Sequence, residues 1–180
     1  PLYILSTTAL LYETIPVAAD PIVIPGVTTP MVSTFDALVA EVEERIFPVG
    51  RLDKDSEGLL LFTNDGEFAN MMTHPSMHIS KTYRVTVRPA ADEEQLIALS
   101  SGVEIDGKKT MPASVQVMSE DSGRSVLQIT IHEGRNRQIR KMCEAVGLRI
   151  SRLCRVAIGE LELGALEVGR WRELTPDELS

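Results

Sequence analysis

The chain has 180 residues, 43% of them hydrophobic, and a formal net charge of −8. That length and apolar content suit a single domain, or one domain with a compact subdomain, that buries its own core. No apolar run approaches the roughly 20 residues of a bilayer-spanning helix and no basic-then-apolar leader opens the chain, so a cytoplasmic protein is expected. The start at Pro1 rather than Met marks a fragment, a processed product or an incomplete record. Cys143 and Cys154 have neither a CxxC spacing nor a histidine cluster nearby, so they are expected as reduced packing thiols, with no metal site.

The charge is unevenly distributed. Residues 1–50 carry one Lys or Arg against six acids, residues 51–120 seven against eleven, residues 121–155 eight against three, and residues 156–180 two against six. The net charge speaks against a polyanionic partner, but the one basic segment can serve as a local stripe for RNA on an otherwise acidic body.

In chain order, Leu2 to Leu5 reads as a strand, and Pro16, Pro21, Pro25 and Pro30 then impose extended segments and turns. From Ser33, the residues Phe35, Leu38, Val39, Val42 and Ile46 fall at helical spacing, which predicts an amphipathic helix ending before Pro48. Gly58 to Thr63 is a continuous apolar run of strand length closed by the turn residues Asn64, Asp65 and Gly66, and Glu67 to Met72 reads as a short helix. Tyr83, Val85 and Val87 alternate with Arg84 and Thr86, as on a strand with one wet face. Leu96 and Leu99 mark a helix after an acidic start at Asp92. Val115 with Val117, and Val126 to Ile131, read as two more strands. Ile139, Met142, Cys143 and Val146 give a helix face stopped by Gly147, with strands following at about 150–158 and 170–174. Many strands with few helices imply an α+β domain on a largely antiparallel or mixed central sheet flanked by helices.

Two stretches are dense in chemistry. In Glu133 to Met142 (EGRNRQIRKM), Arg135, Arg137, Arg140 and Lys141 sit where a Gly turn enters a helix, so guanidinium groups and free backbone N–H groups face the same way, as for a phosphate or carboxylate. Arg149, Arg152 and Arg155 extend the basic stretch along the next strand. In Gly50 to Gly66 (GRLDKDSEGLLLFTNDG), Asp53 precedes a buried strand, where it could anchor an ion pair, form a turn or act as a catalytic carboxylate. A glycosidase pair of Asp53 with Glu57 stays open, since sequence separation does not fix carboxylate distance. His74 and His78 stand four apart, but Pro75 between them disfavours a helix and they are expected as turn residues rather than metal ligands.

Three blocks in this order, FPVGRLDKDSEGLLLFTNDGE (47–67), SKTYRVTV (80–87) and EGRNRQIRKM (133–142), resemble the signature of the RsuA-type ribosomal RNA pseudouridine synthases, the branch that includes RluB, RluE and RluF. STFDALV (33–39) and GRWREL (169–174) are similar in style, so the resemblance runs from about Ser33 to Trp171. It implies the pseudouridine synthase fold and a single catalytic domain over residues 1–180, open to division into two subdomains. It also implies a monomeric, cofactor-free isomerase that flips a uridine out of structured ribosomal RNA or of a ribosome-assembly intermediate and rejoins its base through C5. By the same resemblance Asp53 is the catalytic carboxylate, Arg140 its cationic partner and Tyr83 the aromatic that stacks on the base. Arg51 would help hold the flipped nucleotide, and Arg135, Arg137 and Lys141 would meet RNA phosphates. Asp55 and Glu57 are expected to tie down their loop. The chain departs from the family pattern in having no Lys-Pro-x-Gly segment near its first strand, no lysine preceding Lys54, and nothing resembling the small basic S4 domain that many relatives carry. A catalytically silent RNA-binding or ribosome-assembly module is the competing reading.

Overall fold

The computed structural model describes residues 2–7, 42 and 44–179. Most of the helix expected from Ser33 lies outside them, as does the proline-punctuated stretch. At the end of that expected helix, residues 44–46 are irregular, and Ile46 is buried against Leu60 and Phe62.

Strands β1 (Leu2–Thr7), β2 (Phe47–Val49) and β3 (Glu57–Thr63) form one end of the sheet, with helix α1 (Gly66–Thr73) following β3. Next come β4 (Lys81–Arg88), α2 (Glu93–Ser101), the short hairpin β5 (Glu104–Ile105) and β6 (Lys108–Lys109), and the long hairpin β7 (Ser114–Asp121) and β8 (Arg124–Ile131). The chain then runs through α3 (Gln138–Ala145), β9 (Arg149–Ile158), β10 (Leu161–Glu162) and β11 (Trp171–Glu173). Nine of these strands form one sheet in the order β11-β1-β3-β9-β4-β8-β7, with β2 also on β3 and β10 on β9, while β5 and β6 pair separately. Every pairing is antiparallel except β3 with β9. This is the α+β, mixed-sheet architecture expected from the sequence. The pattern does not show β2, β5, β6 or β10, which are only two or three residues long.

Local chemistry sets the helix starts. Asp65 accepts hydrogen bonds from the Glu67 and Phe68 backbone N–H groups at the head of α1, and Asp92 with Gln95 makes a capping box on α2. Val146 closes α3, and Gly147 follows at φ +81°.

The core divides along the sheet. On one side of β4, β8 and β9, Val85, Val87, Leu127, Ile129 and Leu153 pack with Leu99 of α2 and with Ile139, Met142 and Cys143 of α3. Around β3, Leu59 and Leu61 point into one cluster with Ile4, Val49 and Ile158, while Leu60 and Phe62 point into another with Tyr3, Leu5, Ile46 and Leu52. The two halves meet where β3 and β9 run parallel over only Glu57↔Cys154 and Gly58↔Arg155. Gly58 makes that approach possible, because at φ +109° a Cβ there would lie 2.2 Å from the Arg155 carbonyl oxygen. Beyond Gly58 the edge of β3 is taken by β2 at Leu61 to Thr63, so β3 and β9 diverge and a gap opens between them.

Candidate active site

That gap is a cavity of about 430 Å³. One wall is the loop from Gly50 to Ser56. Leu52 is buried against Leu60 and Phe62 and anchors this loop, and Arg51 and Asp53 on either side of it line the cavity. The Ser56 N–H donates to the Asp53 carbonyl at 2.9 Å and closes the turn behind the carboxylate. The far wall is the core-facing edge of β4, where Lys81 and Tyr83 share a face at strand period two. Arg155 of β9 stands directly opposite Tyr83 in the register and also lines the cavity.

Asp53, Tyr83, Arg51, Arg135 and Arg137 therefore border one space. Arg140 and Lys141 do not line it. The expected ion pair of Asp53 with Arg140 is corrected by the geometry: Arg140 turns to Asp55, its Nε lying 3.2 Å from Asp55 Oδ2 without hydrogen-bond alignment, while its Nη2 donates to the Asp55 backbone carbonyl. Arg137 holds the same carboxylate through two parallel bonds of 2.8 Å. The two arginines are three apart at the start of α3, so one carboxylate serves both. Hydrogen bonding by Arg137 keeps Asp55 below its ordinary carboxylate value, opposed by partial burial and aided by the Arg140 charge. Asp55 thus fastens the loop to α3, as Glu57 does to β9 through Arg152. Both carboxylates tie down the loop as the sequence suggests.

The cations expected to face phosphates are committed within the fold. Arg135 donates to the Lys108 carbonyl at 3.0 Å and to that of Ile105, and Lys141 lies 2.6 Å from Asp106. Arg51 is exposed at the mouth of the cavity.

Two cavity residues, Arg155 and Lys81, stand within stretches the sequence singles out but without an assigned place in the site. Arg155 is only 6% exposed, donates from Nε to the Leu59 carbonyl at 2.9 Å and from Nη1 to the Arg51 carbonyl at 3.3 Å, and leaves Nη2 buried without a partner among the described residues. It straps the Asp53 loop to β3 across the seam. A charged side chain on the core-facing side of β9, opposite Tyr83, was the available signal, because burying an unpaired charge is costly without a purpose. Lys81 stands two residues before Tyr83 and so faces the same way, and burial first, then the Arg155 charge, holds its ammonium below the usual lysine range. Elsewhere, His74 caps the 3-10 turn at Pro75–Met77, and both it and His78 are exposed. Cys143 is buried, its thiol pushed up to about 12 by desolvation, and Cys154 is half-buried and free. No cluster of three or more metal-ligating side chains is present among the described residues.

A solved structure described as a pseudouridylate synthase superposes with a TM-score of 0.76 at 28% identity, over 99% of this chain and 71% of that one. Human RNA Pseudouridylate Synthase Domain Containing 1, at 14% identity and a TM-score of 0.56 over 71% of this chain and 68% of its own, shares the fold.

The chain belongs to the RNA pseudouridylate synthase family, whose model matches residues 32–145. Its relatives place it in the RsuA-type branch. It is 46% identical over 140 residues to ribosomal large subunit pseudouridine synthase B of Bacillus subtilis, covering 77% of this chain and 57% of that protein. It is 40% identical over 136 residues to the dual-specificity RNA pseudouridine synthase RluF of Escherichia coli, covering 76% of this chain and 46% of that one. The chain thus spans about half the length of the curated relatives it matches. Among the described residues no helix is long and apolar enough to cross a membrane.

Proposed function

We propose that this chain is a catalytic domain that isomerises a uridine of ribosomal RNA to pseudouridine, acting as a cytoplasmic monomer without a cofactor. One observation carries the reading: Asp53 and Tyr83, from separate family blocks, border the same cavity. The target nucleotide leaves its stack to reach that gap, because its sugar and base are inaccessible within a helix. The Asp53 carboxylate either adds to C1′ or removes the 2′ proton, the C1′–N1 bond breaks, the uracil turns, and C1′ joins C5. The C5 proton is then lost as N1 gains one, with Tyr83 stacked on the ring; C5 displaces the carboxylate on the adduct route, and the 2′ proton returns on the glycal route, so the product is an isomer of uridine. Arg137 and Arg155 line the same cavity as the Asp53 carboxylate. Arg140 acts as a positioning residue through Asp55. Arg51 meets the RNA at the rim, whereas Arg135, Arg137 and Lys141 would reach phosphates only by exchanging their internal partners.

The test is pseudouridine mapping on unmodified large-subunit ribosomal RNA incubated with the chain. The wild type should modify a discrete site, and Asp53→Asn should slow that reaction by roughly 10²-fold or more with an unchanged circular dichroism spectrum. Full activity in Asp53→Asn ends the mechanism. A wild type that binds this RNA without modifying it leaves the silent binding module, the alternative favoured by the engagement of Arg140 away from Asp53.

A further inference from the structure

The face of β4 opposite the cavity carries Thr82, Arg84, Thr86 and Arg88, and β9 adds Arg149, Arg152 and Cys154 to it through the cross-strand register. Arg88 stands directly opposite Arg149, and both are exposed. Like charges paired across an antiparallel ladder repel at close range and destabilise the sheet. The chain has 26 acidic residues, yet none is paired with either arginine among the described residues. Arg84, two positions along the same face from Thr86, is likewise exposed and has no hydrogen bond or ion pair among the described residues. By contrast Arg152 on this face is neutralised by Glu57, and Arg124 at the hairpin end by Asp121. Toward β10 the face turns acidic, with Glu162 and Glu167 beside Arg84. Among the described residues the uncompensated positive charge is therefore confined to the Arg88 and Arg149 end.

We propose that this end of the open sheet face is a second RNA-backbone contact, separate from the Asp53 cavity; the proposal rests on the RNA reading above. Cations that face each other on neighbouring strands stand about 5 Å apart, so a bound phosphate bridging Arg88 and Arg149 converts their repulsion into attraction. The patch lies five residues from Tyr83, about 17 Å along β4, and on the other side of the sheet. A large folded RNA reaches both by passing the β7 edge, about 10 Å away across two strands. The internally committed Arg135, Arg137 and Lys141 leave this free patch as a source of the sequence-independent affinity that an acidic body otherwise lacks.

The experiment measures binding, without turnover, of the whole chain to an unmodified large-subunit ribosomal RNA transcript as salt is raised. Arg88→Ala with Arg149→Ala should weaken binding about tenfold and reduce the slope of log K against log salt by roughly 1.4 to 1.8, two cations' worth. Arg149→Glu places an attractive pair opposite Arg88, so it should melt no lower than wild type and bind RNA still more weakly. Arg124→Ala, which removes a cation already paired, should leave affinity and slope unchanged. An unaltered slope in the folded Arg149→Glu protein overturns the proposal. Because no chemistry is read, a chain that makes no pseudouridine but shows these losses keeps the surface and loses only the proposed reaction.

Discussion

Strand β3 and strand β4 lie on either side of β9 and are stabilised in opposite ways. On β3 both faces are covered, so Leu59, Leu60, Leu61 and Phe62 are all fully buried and the sequence is a continuous apolar run. On β4 only one face is covered, so buried Val85 and Val87 alternate with Arg84, Thr86 and Arg88. The site lies where the two regimes meet. The doubly covered half gives the Asp53 loop a rigid base, the singly covered half presents Tyr83 and Lys81, and β3 pairs with β9 at only two positions, so the halves part and leave the cavity between them.

The most severe way to break this arrangement is at the seam. Gly58→Ala must displace the Arg155 backbone and adopt a strained positive φ, and it is expected to cost on the order of 3 kcal/mol or more and to abolish any pseudouridine formation, read by urea unfolding and RNA mapping. The contrast between the halves is sharpened by paired truncations. Leu59→Ala and Leu60→Ala, on opposite faces of β3, should each cost roughly 2–5 kcal/mol. Adjacent changes on β4 should differ, with Val85→Ala costing about 1–3 kcal/mol and Thr86→Ala within about 0.5 kcal/mol. Equal costs at Leu60 and Thr86 would refute the two-face account.

The smallest effect concerns the clasp of the loop to α3. The Asp55 carboxyl is held below its ordinary value, so its pairing contributes fully above an unfolded value near 3.8 and is lost as pH falls through the folded one. With nearly half of that side chain exposed, the contribution should be under about 1 kcal/mol and shrink in salt. Asp55→Asn should therefore flatten the acid limb of the stability curve slightly and slow the RNA reaction through a looser loop. An unchanged acid limb would show the clasp to be energetically silent.

Much of this was legible without coordinates, for identifiable reasons. The apolar run of β3, the alternation of β4, the turn at Asn64 to Gly66 and the acidic helix start at Asp92 are local patterns, and the structure follows them. The family blocks gave Asp53 and Tyr83, which the cavity brings together. Arg140 illustrates the limit. Its spacing places it near the loop, but whether its guanidinium meets Asp53 or Asp55 depends on how α3 sits over the turn, and the fold chose Asp55. Arg155 and Lys81 read as parts of a basic stretch and of a polar motif until strand period assigns them to the face that lines the cavity.

The sequence by itself determined the longer strands and helices from β3 onward and which face of each is apolar, because those follow from residue spacing over a few positions. Only the tertiary structure decided the strand order, the seam at Gly58 and the partners of each arginine. Those depend on groups far apart in the chain, where small differences in distance and burial select one carboxylate or carbonyl over another. The opposed Arg88 and Arg149 belong to that second kind of fact, since nothing local reveals that two like charges will face each other across a ladder.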